Sequence, residues 1–434
     1  MLFLSFRIQK YNNKMKRMTK SNDKIDSQEP VRNEPSKEER RNIVLATNAV
    51  ITLYALCYWI QIGVMPYLTR NLGVDAKMFG YLQSVFAFVQ LCGGPLYGRF
   101  GDLFGGKYAL IIAFMSCVAS FGLLSVAATI PVLFLSRLPS VLMHCMQGAQ
   151  MVITDVTTKE DRASGIGKLG ISYGIGMVIG PLLGGFITDH FNEQAAAFMA
   201  ALGSVLSIGI VIWTVPENTK DYNPDNRKKG ESKSSGSLFD YEKYASIFQV
   251  PHFTYLFAIK IITGLPIGIF QAMFSIFAMD YFHLEAKHNG MVLSYVGVMS
   301  MIVQGVGIPF LTKNHSESNL IKYSVLATTV GYFLLTFVQN IYVFMVILLP
   351  LICGGAVLTV IITSVITKTV PSADTGAALG LSMATNSLIR TISPTIGGLL
   401  YTTFGFPVFG VSGTLVNGLL FVYLFVNGKE SLSS

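Results

Sequence analysis

Four ionisable side chains stand out among the apolar stretches of this chain, and each points to a different chemistry. His144, in PSVLMHCMQGAQ, carries an imidazole whose ordinary pKa of about 6.5 suits it to take up and release a proton. Arg390, in NSLIRTISP, stays charged at any accessible pH and requires an anion, a water or carbonyl oxygens around it. Lys260 and Asp280 lie towards opposite ends of one apolar stretch, and Asp280 can serve Arg390 only if the two share a depth. Amides accompany them: Gln61, Gln90, Gln147, Gln150, Gln271 and Gln304. Polar groups are costly among apolar neighbours, so such a set marks a candidate solute pathway. We take Gln61, His144, Gln147, Lys260, Gln271 and Arg390 as candidate cavity residues. No carboxylate falls in the middle of an apolar segment, which leaves His144 as the candidate proton-coupling group. Tyr54, Tyr58 and Trp59 can offer ring faces to a cation. A plainer reading stays open for each: a neutral histidine satisfied by a carbonyl, an arginine clamping two helices, and aromatic residues that only pack.

The elements that must position these groups are membrane helices. Only 13% of the 434 residues are charged and 51% are hydrophobic, against about 25% charged in soluble domains. Apolar segments of about 20 residues, enough to span a bilayer core, fall at 43–69, 77–100, 108–127, 131–155, 164–188 and 194–215. After a polar stretch they resume at 253–282, 288–312, 319–338, 341–367, 375–403 and 406–427. The expected plan is a disordered tail (1–42), a six-helix bundle (43–215), a basic linker (216–252), a second six-helix bundle (253–428) and a short tail (429–434). The apolar run in MLFLSFRIQK is too short for a signal peptide, so the first span should act as an uncleaved anchor.

Net charge is +8, but Lys and Arg gather in the tail, the linker and the loops after even-numbered segments. That distribution reads as topogenic charge with both termini cytoplasmic, and not as a nucleic-acid surface. The five cysteines sit in apolar stretches without a CxxC or Cys/His cluster. There is no nucleophile–base set, metal cluster or nucleotide loop, so neither an enzyme nor a cofactor is expected.

An internal repeat supports the two sixes. VITDVTTKEDRASGIGKLG and VITKTVPSADTGAALGLSM open 213 residues apart, at Val152 and Val365. Asp161 precedes Pro181 by the 20 residues that separate Asp374 from Pro394, and Gly184-Gly185 matches Gly397-Gly398. The copies share one orientation, as in parallel-repeat carriers. GRFGDLFGGK, between the second and third segments, resembles the loop signature of the major facilitator superfamily at Gly98, Asp102, Gly105 and Lys107, although Leu103 and Gly106 replace usual basic positions. Asp102 there is a candidate latch, with Lys107 and Gly98 as gating partners. In the fifth segment Gly167, Gly176, Gly180-Pro181 and Gly184 resemble the antiporter signature of that superfamily, with Ile187 departing from it. Small residues four apart let helices approach closely, and Pro181 and Pro394 permit bends.

The segments FGYLQSVFAFVQLCGGPLYGRFGD, MFSIFAMDYFHLEA and RTISPTIGGLLYTTFGFPVFG carry a wider resemblance, over about 43–412, to organic cation transporter-like members of that superfamily. The resemblance implies an all-α carrier with twelve transmembrane helices in two parallel six-helix bundles. It implies exchange of organic cations for protons in an apical plasma membrane or an intracellular one; a monomer is expected. The residues themselves favour another solute. A cavity with His144, Lys260 and Arg390 and no central acid suits an anionic, zwitterionic or lipid-like molecule. A scaffold linked to lipid metabolism is a further alternative, though it would need neither gate nor bend.

Overall fold

The structure, a computed structural model, describes residues 37–219, 247–370 and 375–427. The expected disordered tail up to 36, most of the linker, Asp374 and the last residues lie outside them. The chain divides into a unit Met1–Lys37, almost wholly undescribed, and a unit Glu38–Ser434 that holds everything below.

Helices account for the described residues, with no strand among them. α1 is Lys37–Asn71, α2 Ala76–Phe104 and α3 Gly106–Ser125. α5 is Lys159–His190 and α6 Glu193–Thr214. α7 is Pro251–Asp280, α9 Glu317–Leu335 and α10 Ile341–Thr369. α11 is Thr375–Phe404 and α12 Pro407–Asn427. The fourth and eighth segments are composite. α4 joins Ile130–Leu135, a 3-10 turn Leu138–Leu142 and Cys145–Val156, and α8 joins Ala286–Ile302, a π turn Val303–Gly307 and Ile308–Asn314. Side-chain caps start several helices, as where Asp75 accepts from the Met78 N–H at 2.7 Å and Asn192 from the Ala195 N–H at 2.7 Å.

Eight of these helices are long and apolar enough to cross a membrane. The other four have local reasons to be less apolar. α2 and α11 pack along each other, which shields Gly80, Ser84 and Gly398 from lipid. α9 carries Glu317 and Lys322 near its start, and α4 is broken. The break corrects one expectation. A continuous fourth helix with His144 near its middle does not form, because the chain leaves helical geometry at Met143 (φ −79°, ψ 62°) and His144 (φ −114°, ψ 46°). His144 is instead the residue on which the second half of α4 starts. The first helix also begins earlier than expected, at Lys37.

Within the first half α3 packs on α6, and within the second α9 packs on α10 and α12. The halves meet along two seams, α2 with α11 and α5 with α8. A second repeat builds these seams. Asp75-Ala76-Lys77, Gly80 and Ser84 at the start of α2 recur as Glu285-Ala286-Lys287, Gly290 and Ser294 at the start of α8. A Cβ on Gly80 would fall on the carbonyl oxygen of Pro394, and one on Gly290 on that of Pro181. Only glycine admits that approach. The turns before the two motifs match as well, since Gly73 (φ 78°) and His283 (φ 54°) hold the same left-handed position.

Candidate functional site

Between the halves lies a cavity of about 490 Å³, within the range of small-molecule sites. Its wall is largely aromatic and aliphatic: Tyr58 and Trp59 from α1, Phe86 from α2, Tyr173 from α5, Phe270 and Phe274 from α7, and Tyr332 from α9. Gln83, Gln271 and Ser275 add uncharged polar groups. Arg390 is the one formally charged side chain among the lining residues, and no carboxylate is among them. Its Nη2 donates to Oε1 of Gln90 at 3.2 Å, across the α2–α11 seam. Gln90 Nε2 in turn donates to the Met143 carbonyl at 3.4 Å, at the break in α4. The non-helical Met143 leaves that carbonyl available to a side chain, which is how the break serves the site.

Of the expected cavity residues, Gln271 and Arg390 line the space, as do Tyr58 and Trp59. The others fall elsewhere. His144 sits behind the wall with its ring 5.3 Å from that of Tyr97, and its Nε2 is buried without a partner among the described residues. Gln61 is 2% exposed, with both amide atoms buried and unpaired among the described residues. Tyr54 packs edge-on against Phe114. Lys260 is buried in α7, seven residues before the first α7 residue of the cavity, Ile267, or about 10 Å along the helix. Gln147 lines a separate cavity of about 370 Å³ with Asp102, Gln150, Thr154 and Asp155. Asp280 does not meet Arg390. It pairs with Arg70, at the end of α1 and away from the mid-helix level of Arg390.

The face carrying the α1–α2 and α7–α8 turns is closed by bonds between the halves. Arg70 pairs with Asp280, Tyr67 Oη donates to the Leu284 carbonyl at 2.7 Å, and Asn289 Nδ2 donates to the Gly63 carbonyl at 3.3 Å. Lys287 pairs with Asp189 at 3.4 Å. Deeper, Ser294 Oγ donates to the Val178 carbonyl at 2.5 Å, and Ser84 Oγ lies 2.8 Å from Thr395 Oγ1. Positions 70 and 280 are equivalent in the two copies of the turn, 210 residues apart like Asp75 and Glu285. A position that touches its own equivalent lies on the axis relating the halves. The Arg70–Asp280 pair is therefore axial.

At the α2–α3 face the expected gating residues separate. Asp102 faces the second cavity, and a Cβ on Gly98 would meet Gln147 Nε2 at 3.3 Å. Lys107 turns away and donates to the Ile212 carbonyl at 2.8 Å, satisfying the end of α6. The glycines of α5 divide their work between two neighbours. Gly176, Gly180 and Gly184 face α1 closely enough that a Cβ would strike the backbone of Leu56 or Ile60, whereas Gly185 and Pro181 meet α8.

One group escaped the sequence reading. Arg137 is 1% exposed, lies 5.4 Å from the Phe86 ring centroid, and donates from Nη2 to Met65 Sδ at 2.7 Å. It stands directly behind the cavity wall with no carboxylate paired to it among the described residues. Its place beside Pro139 in SRLPS, inside an apolar stretch, was the available signal.

The match to known proteins fits this architecture. Residues 48–316 match the model of the Major Facilitator Superfamily. The chain belongs to the major facilitator superfamily. It is 37% identical over 400 residues to solute carrier family 22 member 18 of Mus musculus, covering 91% of this chain and 97% of that one. It is 26% identical to multidrug resistance protein 1 of Bacillus subtilis (strain 168), over 88% of this chain and 96% of the relative. Among solved structures, the nucleoside transporter NupG superposes with a TM-score of 0.72 at 15% identity, over 90% of this chain and 99% of that one. This superfamily member is thus an all-α, multi-pass membrane transporter of twelve helices in two parallel six-helix halves, not an enzyme.

Proposed function

We propose that this transporter is a secondary carrier that moves an amphipathic, acid-bearing organic solute by alternating access. The observation that carries the charge preference is Arg390, the single charged group on an otherwise apolar and aromatic wall without carboxylates. A fixed guanidinium on such a wall attracts an anion and repels a cation. The bundles 43–215 and 253–428 rock against each other, with 216–252 joining them and the Arg70–Asp280 pair holding the α1–α2 face shut. The α1–α2 face is the outer one, which puts the Lys- and Arg-rich loops and both termini in the cytoplasm. One chain encloses the whole cavity, so the monomer is the working unit.

Exchange against protons is the coupling we propose. The antiporter-like glycines of α5 support it, and His144 is the titratable group next to Met143, whose carbonyl takes the Gln90 bond. A second reading, proton-coupled antiport of organic cations, has its support in the ring faces of Tyr58, Trp59 and Tyr173 on the wall. Paired probes on the purified protein in proteoliposomes separate the two: 2-naphthoate and 2-naphthylmethylammonium, each with an internal pH reporter. Uptake of the naphthoate with a pH change is expected. Uptake of the ammonium alone would establish the second reading, and a His144→Gln protein with an unaltered pH profile would remove His144 from the coupling.

A further inference from the structure

Arg390 is held by a neutral side chain from the opposite half. Gln90 offers Oε1 to the guanidinium at 3.2 Å, and its Nε2 is tied back to the Met143 carbonyl at 3.4 Å. A guanidinium has five N–H donors, and the Gln90 bond is the one that Arg390 makes among the described residues. The amide oxygen thus occupies the place that a carboxylate would take, with the same acceptor geometry and none of the charge.

We propose that Gln90 is a resident stand-in for the acid group of the solute, and that the solute loosens the α2–α11 seam by displacing it. This rests on the acid-bearing solute proposed above. A carboxylate adds its own charge and binds a guanidinium through two parallel bonds, where the amide oxygen accepts one, so it wins the fork from an amide. Losing Gln90 removes a bond between α2 and α11.

The two seams differ in what remains. The α5–α8 seam keeps its Lys287–Asp189 ion pair, which the solute does not touch. At the equivalent positions of the α2–α11 seam stand Lys77 and Thr402, which form no ion pair. That seam relies on Ser84 with Thr395 and on Gln90 with Arg390, both uncharged or half-charged contacts. Loading the cavity therefore acts on the seam that has no ion pair among the described residues. Gln90 is a positioning residue: it sets how tightly the acid binds and how binding is transmitted.

The test uses the full-length protein in nanodiscs with 2-naphthoate and 2-naphthylmethylammonium as probes. Binding is read by calorimetry and transport in proteoliposomes. Naphthoate binding to the wild type tests the acid reading itself, and the Gln90 variants test the stand-in. Gln90→Leu frees the fork, so naphthoate should bind about tenfold tighter, with KM falling and kcat not rising. Gln90→Glu supplies a rival carboxylate and should abolish naphthoate binding. A merely structural role would weaken both variants alike. If wild type binds naphthoate and Gln90→Leu binds it no tighter, the stand-in is overturned while the acid reading survives. If wild type binds only the ammonium, both fall. A Ser84→Cys/Thr395→Cys pair in the otherwise unchanged cavity reads the seam without touching Gln90. Naphthoate should slow its disulfide formation, and an unchanged or faster rate would overturn the loosening.

Discussion

Neutralising either member of the Arg70–Asp280 pair should shift the carrier towards opening at the α1–α2 face, and exchanging the two residues should reverse the shift. The side chains are 59% and 31% exposed, so solvent screens their attraction. Exposed pairs contribute about 0.2–1 kcal/mol. Partial burial of the aspartate carries a desolvation cost that offsets part of the attraction, which keeps this pair within that range and not above it. A loss of that size changes the closed-to-open ratio by up to about fivefold. The assay needs a reporter that opening exposes. Leu72 suits it, being partly buried against the apolar cluster beneath the turn. In a background with the five native cysteines replaced, Leu72→Cys should react with a membrane-impermeant maleimide faster, by up to about fivefold, in Arg70→Gln or Asp280→Asn than in the parent. Raising the salt should shrink that difference, as the Debye length falls from about 10 Å at 0.1 M to about 3 Å at 1 M. Because positions 70 and 280 are equivalent, Arg70→Asp with Asp280→Arg rebuilds the pair in mirror order and should return labelling to the parental rate. A swapped protein that labels as fast as the single variants would refute the axial assignment.

Three other outcomes follow from the packing. Gly290→Val places a side chain on the Pro181 carbonyl and should cost about 1–3 kcal/mol, seen as a lower Tm together with faster Leu72→Cys labelling. Unchanged values for both would mean that the α5–α8 seam is looser than described. Arg137→Met removes a buried charge that no carboxylate among the described residues neutralises and should raise Tm, since apolar replacements of buried ions are often neutral or stabilising; a fall of several degrees would point to a partner. Asp102→Asn should cut transport much more than surface expression, and equal losses would sink the latch at the α2–α3 face.

Eight of the twelve helices were readable because a bilayer-spanning helix needs a long apolar run, and the other four, α2, α4, α9 and α11, were read from less apolar stretches of similar length. The break in α4 was not, since Pro139 lies inside the expected span 131–155 and a proline within a membrane helix commonly bends it without ending it. That misreading placed His144 on the cavity, whereas the non-helical backbone at 143–144 turns its ring towards Tyr97. Gln271 and Arg390 were found because polar groups at mid-span need a reason. Gln61 and Lys260 met the same criterion and are buried instead, because one polar residue in an apolar run does not reveal which helix face meets the cavity. The partner of Asp280 was hidden by distance along the chain. The AKxxG motifs at Ala76 and Ala286 held that information, since aligning them sets Arg70 opposite Asp280.

The axial pair also bears on how such a chain arose. Two identical six-helix subunits around a two-fold axis would set position 70 of one against position 70 of the other. Arginine would then face arginine, or aspartate aspartate, and the contact would be repulsive. The Arg70–Asp280 bond could form only after the two copies were free to differ. In this molecule, then, duplication came before the lock, and the bond marks a gain that a symmetric ancestor had no means to encode.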